Sequence, residues 1–160
     1  TAADPRPKIP IVVTHALLDL AEQYAPKRET TIAMETGGMK GHRAEMSKTE
    51  LHRVLCAAFG VDKIHSEYGM AELMSQGYSV GEGLFAAPPW MKVMTRDVNS
   101  PFRVLNEGQR GAINIIDLAN IYSCSFIATQ DMGIAYADGT FRIEGRVTDA
   151  DIRGCNLLVQ

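Results

Sequence analysis

Tyr68-Gly69-Met70-Ala71-Glu72 puts an aromatic ring, a stretch of bare backbone and a carboxylate within one turn of chain. A tyrosine ring can stack on a nucleobase, and a carboxylate can hold Mg2+ beside phosphates. From these residues alone a core tyrosine and a glutamate at a helix start are the simpler account. Asp131, in Thr129-Gln130-Asp131, could accept hydrogen bonds from both hydroxyls of a ribose at a strand end, or form a turn. Arg146 follows Gly145 at the close of a hairpin. Its guanidinium fork could grip phosphate or pair with Glu144 or Asp149 in solvent. Cys155 lies beside Arg153-Gly154, where its thiol should have a lowered pKa and meet an activated acyl group. The alternative is a small buried hydrophobe; Cys56 fits that alternative, and Cys124 suits either.

Such residues need elements to carry them. Residues 1–10 hold Pro5, Pro7 and Pro10 and read as irregular. Thr14 should cap a helix through Tyr24, with Leu17, Leu20, Ala21 and Tyr24 on one face. Thr30 to Glu35 is β-prone and stops at Thr36-Gly37-Gly38, so a ligand could approach bare backbone at a strand's carboxyl end. Ser47-Lys48-Thr49-Glu50 matches a capping box, Leu51, Val54, Leu55 and Ala58 form a buried stripe, and Gly60 is the stop. Ile64 to Glu67 is the next strand. Strand, helix and strand make a βαβ unit and imply a parallel pair.

Beyond Gln76 the texture changes. Residues 83–89 read as a loop, Trp90 to Val98 as a strand, and Ala112 to Asp117 and Ser125 to Ala128 as further strands. Ala137-Asp138-Gly139-Thr140 is a hairpin turn between Gly133–Tyr136 and Phe141–Glu144. The expected fold is α/β: a βαβ-type parallel portion over residues 1–82, then a smaller, mainly antiparallel β portion over residues 83–160.

The 160 residues have room for one core, and a hydrophobic share of 46% with 22% charged residues argues against disorder. A net charge of -3 gives no electrostatic reason to expect nucleic acid as a partner. The longest apolar run, Ile9 to Val13, is too short for a membrane span. The three cysteines lack metal-ligand spacing, so a reducing cytoplasm is expected. Thr1 in place of an initiator Met suggests a piece of a longer protein.

In order, Gly37-Gly38, Tyr68 to Glu72, Thr129 to Asp131 and Gly145 to Asp149 resemble the motifs of the adenylate-forming, acyl-activating enzymes. Tyr68 to Glu72 is similar to that superfamily's Tyr-Gly-x-Thr-Glu, with Ala71 for Thr. Thr129 to Asp131 is similar to Thr-Gly-Asp, with Gln130 for Gly and Ile127-Ala128 where an Arg normally precedes it. The Ser/Thr/Gly-rich phosphate loop and the amino-terminal half have no counterpart here. Met34 to Lys40, Pro88-Pro89-Trp90 and Arg153-Gly154-Cys155-Asn156 resemble the acyl-protein synthetases, the long-chain-fatty-acid–luciferin-component ligases.

That resemblance implies the carboxyl-terminal part of an adenylate-forming large domain. It implies ATP and Mg2+ as cofactors and a fatty or other carboxylic acid as substrate, activated as acyl-AMP. Gly37, Gly38, Tyr68 and Gly69 would lie against adenine, Asp131 on ribose, Arg146 on the nucleotide and Glu72 on the metal; Lys40 or His65 could assist. Cys155 would take the acyl group and hand it to a reductase partner. The alternatives are part of an acyl- or aryl-CoA ligase such as phenylacetate–CoA ligase, and a non-catalytic module that keeps the fold. The piece alone is expected to be inactive.

Overall fold

Ser47 opens the longer helix as its capping box requires: its hydroxyl accepts the backbone N–H of Glu50 at 3.2 Å. Helix α2 (Lys48–Phe59) ends at Gly60, whose left-handed φ of 65 lets its N–H bond the Cys56 carbonyl. The computed structural model describes residues 9–23, 32–37 and 46–147. The chain forms two compact units, residues 1–67 with 79–83 and residues 68–78 with 84–160.

In the first unit, strands β1 (Ile11–Val13), β2 (Met34–Thr36) and β3 (His65–Tyr68, whose last residue belongs to the second unit) pair in parallel, β2 between the other two. The expected parallel pair is present. Strand β1 is an addition that the proline-marked opening concealed. Helix α1 (Thr14–Gln23) and α2 bury Leu17, Leu18, Ala21, Leu51, Leu55 and Phe59 with Ala33 and Ile64. Each large side chain there contributes roughly 2 kcal/mol by leaving water. Helix α1 starts at Thr14, where the sequence placed it, and the Thr14 hydroxyl donates to Glu35 Oε2 at 2.7 Å. Tyr24 lies outside the described residues.

In the second unit, β5 (Leu84–Ala86), β6 (Met91–Arg96), β7 (Arg110–Asp117), β8 (Phe126–Ala135) and β9 (Thr140–Arg146) run antiparallel in the order β5-β9-β8-β7-β6. The short β4 (Gly77–Ser79) precedes them. Residues 83–89, expected as loop, therefore contain a strand. The expected strands at 125–128 and 133–136 are one continuous β8. Phe85, Met91, Ile113, Ile115, Phe141 and Leu73 form this unit's core. The hairpin turn forms as expected, with the Gly139 N–H bonded to the Tyr136 carbonyl and Asp138 accepting the Thr140 N–H. Among the described residues no helix is long and apolar enough to cross a membrane.

Candidate functional site

Irregularities in β8 and β9 position the site. Between β7 and β8 the register is regular up to Ala112↔Met132 and resumes at Asn114↔Ala128. Thr129, Gln130 and Asp131 thus stand opposite Ile113 alone, and the strand bulges there. Asp131 is therefore within a strand, not at a strand end as expected from the sequence. On the other side, Gly133 faces Ile143 whereas Met132 faces Gly145, which leaves Glu144 as an extra residue in β9. In a regular register Glu144 would face Met132 and Gly145 would face Asp131; with the bulge, Asp131 faces Arg146. Gly145 takes a φ of +135 with no atom near a built Cβ, so backbone conformation, not space, calls for glycine.

This arrangement gathers three of the expected residues. The Tyr68 hydroxyl donates to Asp131 Oδ2 at 2.7 Å. Arg146 Nε stands 3.5 Å from Asp131 Oδ1, and Arg146 Nη2 donates to Gln130 Oε1 at 3.3 Å. The Tyr68 ring lies edge-on to Phe141 at 5.5 Å and tilted to Phe85 at 6.0 Å. Burial raises the Tyr68 pKa well above its ordinary 10, and the negative Asp131 beside it raises it further. The Asp131 side chain is 18% exposed and that of Arg146 39%. A carboxylate has about four acceptor positions, so Asp131 keeps capacity for a ligand's hydroxyls.

Glu72 is exposed and follows Tyr68 in a turn, with no helix starting there. What holds it is the buried Asn120, whose carboxamide donates to the Glu72 carbonyl at 2.7 Å and to the Cys124 carbonyl at 2.9 Å. The buried Asp117 anchors the next residues, accepting the Met74 N–H, the Ser75 N–H and the Ser75 hydroxyl. Burial opposes the charge on Asp117, but the Ser75 hydroxyl and the Ser75, Ala119 and Met74 N–H groups outweigh it and hold the pKa below the usual range. Neither stood out in the sequence, where Asp117 reads only as the end of the strand from Ala112 and Asn120 carries no reading.

The same is true of Arg96. Its guanidinium donates from Nη1 to the Ile113 carbonyl at 2.8 Å and to Asn114 Oδ1 at 2.6 Å. From Nη2 it reaches the Thr129 carbonyl at 2.7 Å. The resemblance expects an arginine just before Thr129, where Ile127 and Ala128 stand; Arg96 belongs to β6.

Gly37 belongs to the other unit, in the turn after β2 with a φ of 71. Its neighbour Glu35 is fully buried and is met by Ser66, by Lys48 and, at 3.6 Å, by His52 Nε2. Burial alone would raise the Glu35 pKa. His52, Lys48 and Ser66 together overcome that and bring it from 4.5 to about 2. His65 opens β3. Cys56 is half-buried, and burial with the nearby Asp62 raises its pKa, in keeping with an inert thiol. Cys124 is exposed. Gly38, Lys40 and Cys155 lie outside the described residues. Among the described residues no group of three or more His, Cys, Asp or Glu could hold a metal by itself.

The strand arrangement is shared with solved ligases. ATP-bound MatB from Rhodopseudomonas palustris superposes with a TM-score of 0.66 over 90% of this chain and 32% of its own, at 17% identity. The O-succinylbenzoate coenzyme A synthetase MenE of Bacillus subtilis, in complex with ATP and magnesium ion, gives 0.61 over 92% and 33%, at 18% identity. The chain has the fold of part of an adenylate-forming ligase. A benzoate CoA ligase from Burkholderia xenovorans is also similar, at a TM-score of 0.60 over 89% of this chain and 32% of that one, with 17% identity. In sequence the chain is similar to the long-chain-fatty-acid–luciferin-component ligase of Vibrio harveyi, 25% identical over a 131-residue alignment that covers 76% of this chain and 34% of that protein. It thus spans about a third of the length of that curated relative. No family model matches the chain.

Proposed function

We propose that the intact protein activates a carboxylic acid with ATP and passes the acyl group to Cys155. The observation that carries this reading is the joining of Tyr68, Asp131 and Arg146 in a fold shared with ATP-bound ligases. Similarity to a long-chain-fatty-acid–luciferin-component ligase supports a fatty acid as the substrate.

In this reading the substrate carboxylate attacks the α-phosphorus of ATP, the bond to the β-phosphate oxygen breaks, and pyrophosphate leaves. Asp131 accepts hydrogen bonds from the ribose hydroxyls while Tyr68 and Arg146 hold its two oxygens in place. Tyr68 also presents its ring to adenine beside Gly69. The donor set suits Mg2+, which takes one or two carboxylates and completes its shell with phosphate oxygens and water; Glu72 is exposed and anchored through its backbone. Bound there, Mg2+ would neutralise phosphate charge. The Cys155 thiolate then attacks the acyl carbon, a thioester forms and AMP departs. A reductase would take the acyl group from that thioester.

Substituting Cys155 with Ser in the full-length protein tests the second half. Carboxylate-dependent pyrophosphate exchange should persist while hydroxylamine-sensitive labelling by radioactive fatty acid disappears. Labelling that survives removes Cys155 from the reaction. Likeness to coenzyme A ligases favours one second reading, with coenzyme A as the acceptor. In that case the Ser variant forms acyl-CoA at the wild-type rate.

A further inference from the structure

The bulge of Thr129-Gln130-Asp131 away from β7 has a physical cost. Where three residues oppose one, backbone groups lose their ladder partners, and a buried group left without a partner costs on the order of 1–3 kcal/mol. The carbonyls of Thr129, the first bulged residue, and of Ile113, opposite the bulge, both accept from the Arg96 guanidinium, at 2.7 and 2.8 Å. The Thr129 hydroxyl completes the arrangement by donating to the Ile113 carbonyl at 3.0 Å and accepting the Asp131 N–H at 3.1 Å. Arg96 is itself oriented by Asn114 Oδ1 at 2.6 Å. A planar, permanently charged fork bonded to three acceptors has little freedom to turn.

We propose that Arg96 is a positioning residue for Asp131: its fork pins the bulge that presents the Asp131 carboxylate to the ribose of a nucleotide. This rests on the nucleotide reading above and goes beyond it by naming a residue outside every motif that suggested that reading. Arg96 touches no substrate; it acts through Thr129. Lysine cannot replace it, because one ammonium on a flexible stem cannot hold three acceptors in that plane.

The test is discrimination between ATP and 2′-deoxy-ATP in pyrophosphate exchange by the full-length protein, read as the ratio of the two kcat/KM values. If Asp131 holds the 2′-hydroxyl, the wild type should favour ATP by about tenfold or more, the weight of one charge-assisted hydrogen bond. Arg96→Met and Arg96→Lys should bring that ratio to within about threefold of unity, a change that general destabilisation would not produce. Retention of the wild-type ratio in the Arg96 variants overturns the proposal. Should Arg96→Met fail to fold, Arg96→Lys keeps the charge and most of the stem while giving up the planar fork, and a wild-type ratio in that variant overturns it equally. Asp131→Ala separates the two levels. If it too keeps the wild-type ratio, the ribose assignment has failed; if it loses the ratio while Arg96→Lys keeps it, only the role of Arg96 has failed.

Discussion

Tyr68 and Asp131, 63 positions apart in the chain, are joined by a hydrogen bond of 2.7 Å from the phenol to the carboxylate. The same carboxylate faces Arg146 across the β8–β9 pair. One acid thus sits between a neutral donor and a cation, each on a different element.

Tyr68→Phe keeps the ring in its aromatic cluster and removes the donor to Asp131. It should cost about 1 kcal/mol of stability and weaken AMP binding measured by calorimetry on the intact protein. The alkaline behaviour has a definite sign. The folded pKa of Tyr68 lies above its ordinary 10, so the stability it supplies is complete below that pH and is lost as pH rises beyond it. Melting temperature above pH 10 should therefore fall less steeply in Tyr68→Phe than in the wild type; equal slopes would contradict the assignment.

Asn120→Asp keeps the shape but turns a donor toward the Glu72 carbonyl into an acceptor. The turn bearing Glu72 should loosen, and the Mg2+ concentration giving half-maximal pyrophosphate exchange should rise by about tenfold. Glu72→Gln should move it in the same direction. An unchanged Mg2+ requirement in Glu72→Gln would withdraw the metal from that carboxylate.

Glu35 supplies an acid-sensitive element in the other unit. Its pKa is lowered from 4.5 to about 2, so its contribution is present above about pH 4.5 and is lost as pH falls toward 2. The shift corresponds to roughly 3 kcal/mol. Glu35→Gln should destabilise the protein by about that much at pH 7, because Lys48 and His52 lose their buried partner. Its stability should also change less between pH 4.5 and 2, as urea titrations at those two values would register.

Glycines at the β8–β9 bulge should resist substitution for different reasons. A Cβ on Gly133 would come within 2.0 Å of the Arg142 carbonyl oxygen, so Gly133→Ala must push the strands apart and should cost more than about 2 kcal/mol. Gly145→Ala meets no atom but must hold a φ of +135, at a cost of about 1–3 kcal/mol. Thermal melts of the two variants give both values. Gly145→Ala also bears on the site, since relaxing the bulge would slide Arg146 off Asp131 and weaken AMP binding.

Local chemistry accounts for what was legible in the residues. The Ser47 cap, the Gly60 stop and the turn at Asp138-Gly139 depend on groups a few positions apart, and all three form as read. The parallel character of the first part and the antiparallel character of the second follow from connection type, which short-range patterns report. The likeness to adenylate-forming enzymes was carried by the order of motifs, and the fold agrees with it.

Tertiary structure decided what depends on register. A one-residue change in β9 determines whether Gly145 or Arg146 meets Asp131, because side chains alternate faces at every step. No run of residues states where an extra residue is absorbed, since a bulge is settled by the energy of the whole ladder. Arg96, Asp117 and Asn120 stayed hidden for the same reason. Most of their partners are backbone carbonyls and amides that any residue possesses, and the side-chain partners, Asn114 and Ser75, are distant in sequence, so their bonds leave no mark on composition or spacing until the chain is folded.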